Sequence, residues 1–305
     1  MNIEIVGTES LGVRGMCCLV TVHDRKILID PGIALGYTRY GLLPHPFQVS
    51  VDETIQNRIV EAWSGATDIV ISHFHGDHVP LINANPYQLN INKIASLNHG
   101  VRVWAKSRNL SPTEQNRKDA LAAFLDMIPA EEIRDGILSF SGSVHHGAVG
   151  GTETVIMTKI TGDYVFIHAS DIQLLCDDAV SQILSWRPDI VFASGPPLYL
   201  KRLSSGQIKT ARENAVRLSK KVDTLILDHH LMRSESGAEW LDTLSLQTAN
   251  RVVCGADFTG KPRMLLEARR KYLYERMPVP GGWHDAYAGG TTGTAGYNIM
   301  PPDGM

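Results

Sequence analysis

The segment Asp68-Ile69-Val70-Ile71-Ser72-His73-Phe74-His75-Gly76-Asp77-His78 runs a short apolar strand directly into three imidazoles and a carboxylate. Ile69, Val70 and Ile71 show no polar alternation, which is the pattern of a strand buried inside a sheet. Gly76 lets the backbone turn tightly behind it, so that alternate side chains can face one point. A lone histidine reads as a solvated or satisfied residue. His73, His75, Asp77 and His78 together, packed into one loop at a strand end, read as metal donors.

Upstream, Ile3 and Ile5, then Cys18-Leu19-Val20-Thr21-Val22 and Lys26-Ile27-Leu28-Ile29-Asp30, read as strands, the last stopped by Pro31-Gly32. Ser50-Val51-Asp52-Glu53 has the spacing of a capping box and predicts a helix starting there, with Ile55, Ile59, Val60 and Trp63 on one face. Downstream, residues 81–128 carry an Asn-rich stretch, a strand at Val101-Arg102-Val103-Trp104 and a helix predicted over 118–127. This segment is expected to be a substrate-side insertion. From Thr154 strands and helices alternate again, with strands at Val155-Ile156-Met157-Thr158, Tyr164-Val165-Phe166-Ile167-His168, Ile190-Val191-Phe192-Ala193, Thr224-Leu225-Ile226-Leu227 and Arg251-Val252-Val253-Cys254. Helices are predicted over 178–186, 206–220, 238–246 and 263–274.

A unit recurs in this alternation. Asp68, Asp189 and Asp223 each follow a helix and open an apolar strand, and those strands end in Ser72-His73, Ser194-Gly195-Pro196-Pro197 and Asp228-His229-His230. Ligands of α/β sheets bind at strand carboxyl ends, so these loops are expected to meet on one edge. The predicted organisation is one α/β domain over residues 1–278, followed by a Gly-rich tail over 279–305 expected to be flexible.

The chain of 305 residues is 43% hydrophobic and 20% charged, the balance of an ordinary globular protein with a substantial core. Its net charge of −3 gives no basic excess, so nothing favours nucleic acid as a partner, and no membrane partner is expected. Cys17 and Cys18 are sequence neighbours, a pairing that disulfide geometry disfavours. Met1-Asn2-Ile3-Glu4-Ile5-Val6 alternates like a strand rather than opening a signal peptide, and a cytoplasmic location is expected. The oligomeric state is not set by anything in the sequence.

A two-metal hydrolytic site needs about three protein ligands per ion and an open position, more than one loop supplies. Further donors stand at Val144-His145-His146-Gly147, at His168-Ala169-Ser170-Asp171 just past a strand, and at Asp228-His229-His230 just past another.

His73-Phe74-His75-Gly76-Asp77-His78 matches the HxHxDH signature of the metallo-β-lactamase superfamily, which the chain resembles from Gly7-Thr8-Glu9-Ser10-Leu11-Gly12 to about Met277. The order of the later His, Asp and His is also that of the superfamily. More narrowly, Asp30-Pro31-Gly32-Ile33-Ala34-Leu35-Gly36, Ser194-Gly195-Pro196-Pro197 and Asp228-His229-His230-Leu231 look like an archaeal, metal-dependent hydrolase-like branch of it. The resemblance implies an α/β fold of four layers, an αββα sandwich with metals at one edge of its two sheets. Carried over by position, His73, His75 and His146 would bind one ion, Asp77, His78 and either His229 or His230 the other, and Asp171 would bridge them. Asp30 would orient ligands by hydrogen bonding. His146 is preferred to His145 because it precedes Gly147, as in the superfamily's His-Gly pattern; His229 and His230 stay open as alternatives.

Imidazole and carboxylate donors without thiolate suit two divalent ions, zinc first, with iron or manganese as alternatives. A metal-bound water with its pKa lowered to about 7 supplies hydroxide near neutral pH, and Asp77 could hydrogen-bond it. The expected activity is hydrolysis of an ester-like or phosphodiester bond in a small-molecule substrate. No G-x-S-x-G elbow points to a serine nucleophile. Tyr199 is a candidate substrate contact, and Arg14, Arg39 and Tyr40 could meet an anionic substrate. A nuclease or phosphodiesterase acting on nucleic acid is the alternative, prompted by the complete signature and by Arg269-Arg270-Lys271 near Tyr272 and Tyr274. Glu267 and Glu275 flank that run, and the chain has no room for the large inserted domain that nucleic-acid-processing members often carry. A non-hydrolytic di-iron or metal-bearing scaffold protein ranks last, because the superfamily's redox branch usually carries Glu where His75 stands and no flavin-binding domain follows.

Overall fold

A computed structural model describes residues 1–132, 135–147 and 151–297. The first half of the chain builds a six-stranded sheet from β1 (Asn2–Thr8), β2 (Met16–Val22), β3 (Arg25–Ile29), β4 (Asp68–Ile71), β5 (Arg102–Ala105) and β6 (Met127–Pro129), in that order across the sheet. Strands β1, β2 and β3 run antiparallel, and β3 to β6 run parallel. Helix α1 (Pro46–Ser64) makes the crossover from β3 to β4, and α2 (Pro112–Leu121) the one from β5 to β6. The second half begins with β7 (Leu138–Phe140) and a separate hairpin of β8 (Val144–His145) and β9 (Thr154–Val155). It continues through β10 (Thr158–Thr161), β11 (Val165–His168), α3 (Asp177–Ser185), β12 (Ile190–Ala193), α4 (Ser205–Ser219), β13 (Thr224–Leu227), α5 (Glu235–Gln247) and β14 (Arg251–Val253). The second sheet has the order β14-β13-β12-β11-β10-β7, parallel from β14 to β11 and antiparallel beyond. Helices α6 (Gly255–Phe258), α7 (Arg270–Arg276) and α8 (Trp283–Ala288) close the chain.

One hydrophobic core joins residues of both sheets, including Ile27, Ile69 and Ile71 from the first and Ile167, Phe192 and Leu225 from the second. Each such fully buried side chain contributes roughly 1.5–3 kcal/mol. Helix α1 packs on β1, α4 and α6 on β13, and α5 on β14. The carboxyl ends of the parallel strands come together at one edge: Ser72, just past β4, lies 2.7 Å from Ser170, just past β11, through their hydroxyls.

Several boundaries depart from the sequence expectation, each for a local reason. Helix α1 starts a full turn before Ser50, because Pro46 stands at its first position and His45 caps it. His45 Nδ1 accepts from Phe47 N at 3.1 Å, while Gln48 Oε1 accepts from His45 N at 3.0 Å. Ser50 instead bonds back to the Phe47 carbonyl. Helix α2 likewise starts at Pro112, not at 118, under a Ser111–Glu114 capping box. The stretch 81–128 is not wholly an insertion, since β5 is paired on both sides within the first sheet. The helix expected over 263–274 forms only from Arg270, because Arg263 is held by Asp257 and Asp242 and Met264 bridges to Leu11. In the segment expected to be a flexible tail, α8 packs by stacking Tyr287 on Tyr87 and Trp283, and Tyr287 and Thr294 both donate to Glu53. Residues 298–305 lie outside the described residues. Among the described residues, no helix is long and apolar enough to cross a membrane.

Candidate metal centre

The loop after β4 is gripped from three sides. Gly32 passes so close beneath it that a Cβ there would stand 2.1 Å from Val79 N and 2.2 Å from the His78 carbonyl carbon, so no larger residue fits. Helix α2 holds Phe74 at both backbone groups, Glu114 accepting from its N–H at 3.4 Å and Arg117 donating to its carbonyl at 2.8 Å. Buried Lys106 donates to Glu114 at 3.0 Å and to the Thr154 carbonyl at 2.5 Å, which ties the loop to the β8–β9 hairpin. That hairpin carries His146.

Asp30 is the hub under the loop. Its carboxylate accepts from Ser72 N (2.8 Å), Ser72 Oγ (2.7 Å), Ser170 Oγ (3.0 Å) and His78 Nδ1 (2.9 Å). His78 therefore turns its Nε2 away from Asp30, to 3.2 Å from Asp171 Oδ1. The backbone at three strand ends is held in the left-handed region, with φ of 48° at Asp30, 51° at Ser170 and 24° at His229. Such conformations cost about 1–3 kcal/mol each in non-glycine residues and gather where surrounding structure fixes a functional group.

Asp171 lies at the centre. Its Oδ2 is 2.7 Å from His146 Nε2, 3.2 Å from His230 Nε2 and 3.6 Å from His73 Nε2, while Oδ1 faces His78 and, at 3.6 Å, His229 Nε2. Asp77 Oδ2 stands 3.4 Å from His229 Nε2. Four sets of donors have ligand atoms within 4.8 Å of one another: His73, His75, His146 and Asp171; Asp30, His73 and His78; Asp77, His78 and His229; Asp171, His229 and His230. All the residues expected as metal ligands thus meet in one cluster, and His145, next to His146 in sequence, belongs to none of these sets. The other histidine of the strand ends, His168, is buried in the core with Nε2 on the Met16 carbonyl.

Among the described residues, three buried atoms in this cluster, His73 Nε2, His78 Nε2 and Asp171 Oδ1, make no well-formed hydrogen bond, the last two meeting only in their 3.2 Å contact with each other. Buried polar atoms are almost always paired, so lone pairs converging without such bonds fit cations that the protein itself does not supply. Burial, with His78 and His75 adding to it, holds His73 well below the ordinary histidine range. Burial and Arg233 do the same for His229, and burial brings His230 down to about 4. These rings are neutral near pH 7, the form that ligates. His75 and His78 shift the other way against burial, His78 well above the ordinary histidine range because Asp171 and Asp30 favour its charge. Burial opposes the charge on Asp171, but His78 foremost outweighs it and keeps the carboxylate ionised.

The cluster opens into a cavity of about 680 Å³ lined by His75, Asp77, His146, Asp171, Tyr199 and Arg233 among others. Tyr199, the expected substrate contact, has its hydroxyl 3.2 Å from His230 Nδ1 and accepts from Arg233 Nη1 at 3.1 Å. A second cavity of about 540 Å³, between α1 and Met264, contains none of the donors. The basic run read as a nucleic-acid feature is dispersed, with Arg270 fully buried on Gln48 and Arg269 paired with Glu235. Sequence reading missed Ser72, Ser170, Arg233 and Glu153, the last standing 3.5 Å from His75. Only Arg233 left a trace, standing four residues past His229 at the spacing of one helical turn.

No family model matches the chain. A UPF0282 protein of Methanosarcina mazei is 48% identical over 302 residues, covering 97% of this chain and 99% of that relative. The chain belongs to the UPF0282 family. A UPF0282 protein of Pyrococcus furiosus is 32% identical over 290 residues, covering 90% of this chain and 92% of the relative, and one of Korarchaeum cryptofilum is 30% identical over 296 residues, covering 92% and 96%. These UPF0282 relatives are archaeal proteins. Among solved structures, an isothiocyanate hydrolase from Delia radicum gut bacteria has a TM-score of 0.48 at 14% identity, over 79% of this chain and 94% of its own. Unliganded yeast PDE1 has a TM-score of 0.44 at 12% identity, over 83% and 96%. At such scores a likeness settles neither fold nor chemistry.

Proposed function

We propose that this UPF0282 chain is a metal-dependent hydrolase of the metallo-β-lactamase type, its two sheets forming the inner layers of an αββα sandwich. The observation that carries the reading is the set of buried atoms without a well-formed hydrogen bond on His73, His78 and Asp171, the last of which lines an open cavity. One ion would be held by His73, His75 and His146, the other by Asp77, His78 and His229 or His230, with Asp171 between them. Two observations divide the last pair. His229 shares the Oδ1 side of Asp171 with His78 and lies near Asp77, which favours it. Its Nδ1, however, accepts from Gly15 N at 3.2 Å and its Nε2 already faces the Arg233 Nη2 donor at 3.0 Å, whereas His230 has a hydroxyl at Nδ1 and turns Nε2 to Asp171 at 3.2 Å.

When bound, divalent ions at this donor set polarise an ester or phosphoryl oxygen and activate water. Asp30 fixes the tautomer and aim of His78. Asp77, 21% exposed against 2% for Asp171, is the cluster carboxylate best placed to accept a hydrogen bond from attacking water. Burial opposes its charge, but His78 draws its pKa down to about 2, so it stays an acceptor across the physiological range. The size of the cavity supports a small-molecule substrate. Four buried free cysteines support a reducing, cytoplasmic setting.

The test pairs hydrolysis of a small ester and a small phosphodiester with elemental analysis of the same sample. His75→Ala and Asp171→Ala are each expected to lower bound metal and abolish cleavage. Of His229→Ala and His230→Ala, the one that loses an ion names the ligand. Full metal in both His75→Ala and Asp171→Ala contradicts the donor assignment.

A further inference from the structure

Arg233 brings a full charge to the edge of the donor cluster. It ends the turn Leu231–Arg233, and its side chain is 7% exposed. Its Nε donates to Glu9 Oε2 at 3.1 Å and Nη1 to the Tyr199 hydroxyl, while Nη2 lies 3.0 Å from His229 Nε2 and 3.9 Å from Asp77 Oδ2. A guanidinium has more N–H groups than these contacts use, and Arg233 borders the open cavity. Two further arginines stand nearby. Arg39 lies over the Tyr199 ring, its Cζ 5.2 Å from the centroid against 5.5 Å for Arg233, and Arg202 lines the cavity.

The counter-charge for Arg233 is incomplete. Glu9 is fully buried, and burial, with Glu267 adding to it, pushes its pKa up to about 7. Glu267 is itself engaged by Arg14, whose Nε donates to it at 2.6 Å. The cavity lining thus combines two chemistries: the donors His75, His146 and Asp171, and the cationic and hydroxyl groups of Arg233, Tyr199 and Arg202, which adjoin them through Tyr199 and His230.

We propose that Arg233, Tyr199 and Arg202, lining one cavity with the donors, form an oxyanion subsite, and that the substrate carries a phosphoryl or carboxylate group beside the bond to be cleaved. The subsite stands on the arginines; its position beside a scissile bond rests on the hydrolase reading above. Arg233 supplies charge-assisted N–H donors from a fixed position, Tyr199 a hydroxyl held by Arg233, and Arg202 a second, exposed cation.

The test is calorimetric titration of the full chain, metal-loaded and chelator-treated, with phenylphosphonate, benzoate and neutral benzyl alcohol. At least one oxyanion is expected to bind and the alcohol not. Arg233→Lys is expected to weaken that binding about tenfold, and Arg202→Gln about threefold, with metal content and circular dichroism unchanged. Tighter phenylphosphonate assigns a phosphoryl group, tighter benzoate a carboxylate. If Arg233→Lys does not fold, Tyr199→Phe replaces it beside Arg202→Gln. Binding that neither folded variant weakens, or benzyl alcohol binding as tightly as the oxyanions, overturns the proposal. Arginine-dependent oxyanion binding by a chain that takes up no metal keeps the subsite and removes the hydrolase reading.

Discussion

Strand β4 buries ionisable groups at both ends, and the two ends are finished differently. At its start, Asp68 accepts from Arg25 Nη2 (2.7 Å), Arg25 Nε (2.9 Å), Trp104 Nε1 (2.9 Å), Thr67 Oγ1 (2.7 Å) and Arg102 Nη2 (3.0 Å). Arg25 reaches on to Asp135. At the other end, past Ser72, His73 Nε2, His78 Nε2 and Asp171 Oδ1 converge without a well-formed hydrogen bond. Burial is equal in the two places, so burial alone does not mark a functional site. Saturation does: the first end closes on the protein's own donors, and the second keeps lone pairs aimed at a shared space.

This contrast can be broken by substitution. Asp68→Ala leaves Arg25 buried without its main partner, and it is expected to cost about 3–5 kcal/mol in urea unfolding while leaving bound metal per folded chain unchanged. Loss of metal with stability retained would dissolve the distinction between the two ends.

Asp52 asks whether one partnerless atom is enough. It is fully buried in α1, with Oδ2 accepting from Gln56 at 2.7 Å and, among the described residues, Oδ1 unpaired and no histidine or second carboxylate joining it in a donor set. Burial pushes its pKa up to about 8, against the pull of Gln56 and Lys93. Because the folded value is raised, the proton stabilises the fold fully below about pH 4, and that stability is lost as pH rises through about 8. At ~1.4 kcal/mol per pKa unit, Asp52→Asn is expected to be a few kcal/mol more stable than the parent near pH 9 and about equal near pH 4, with no change in metal. Parallel pH profiles of the two proteins would contradict this.

The smallest expected effect sharpens the metal end. Asp30→Asn keeps the shape of the hub but sets an amide NH2 against one of the donors it accepts from. Metal affinity is expected to fall about 10–100-fold, read by competition with a chelator on the folded protein, with a stability loss of about 1–3 kcal/mol. An unchanged affinity would show that Asp30 serves the fold alone.

What could be read from the sequence was local. Ile69-Val70-Ile71 followed by His73, His75, Asp77 and His78 shows both strand and donors within eleven residues, because strand pattern and loop composition are short-range signals. The recurring Asp-strand unit likewise pointed to strand ends that the fold does bring to one edge. The start of α1 was missed because His45 is not among the usual capping residues, and Pro46 outweighs the Ser50 spacing. The hub around Asp30 was half visible: its position was readable, but Ser72 and Ser170 join it from distant sequence, with left-handed backbone at Asp30 and Ser170 that no periodicity records. Arg233 needed the turn at Leu231–Arg233 to fold it back onto His229, and the order of α8 depends on Tyr87, nearly two hundred residues earlier.

The most direct test of the account is the metal content per chain of the purified, unsubstituted protein, measured by elemental analysis after removal of loosely bound ions. About two divalent ions per chain, retained on dilution, is the predicted result. A chain that stays folded yet holds no ion after separate exposure to zinc, manganese and iron would contradict it, and the atoms of His73, His78 and Asp171 without a well-formed hydrogen bond would then need another explanation.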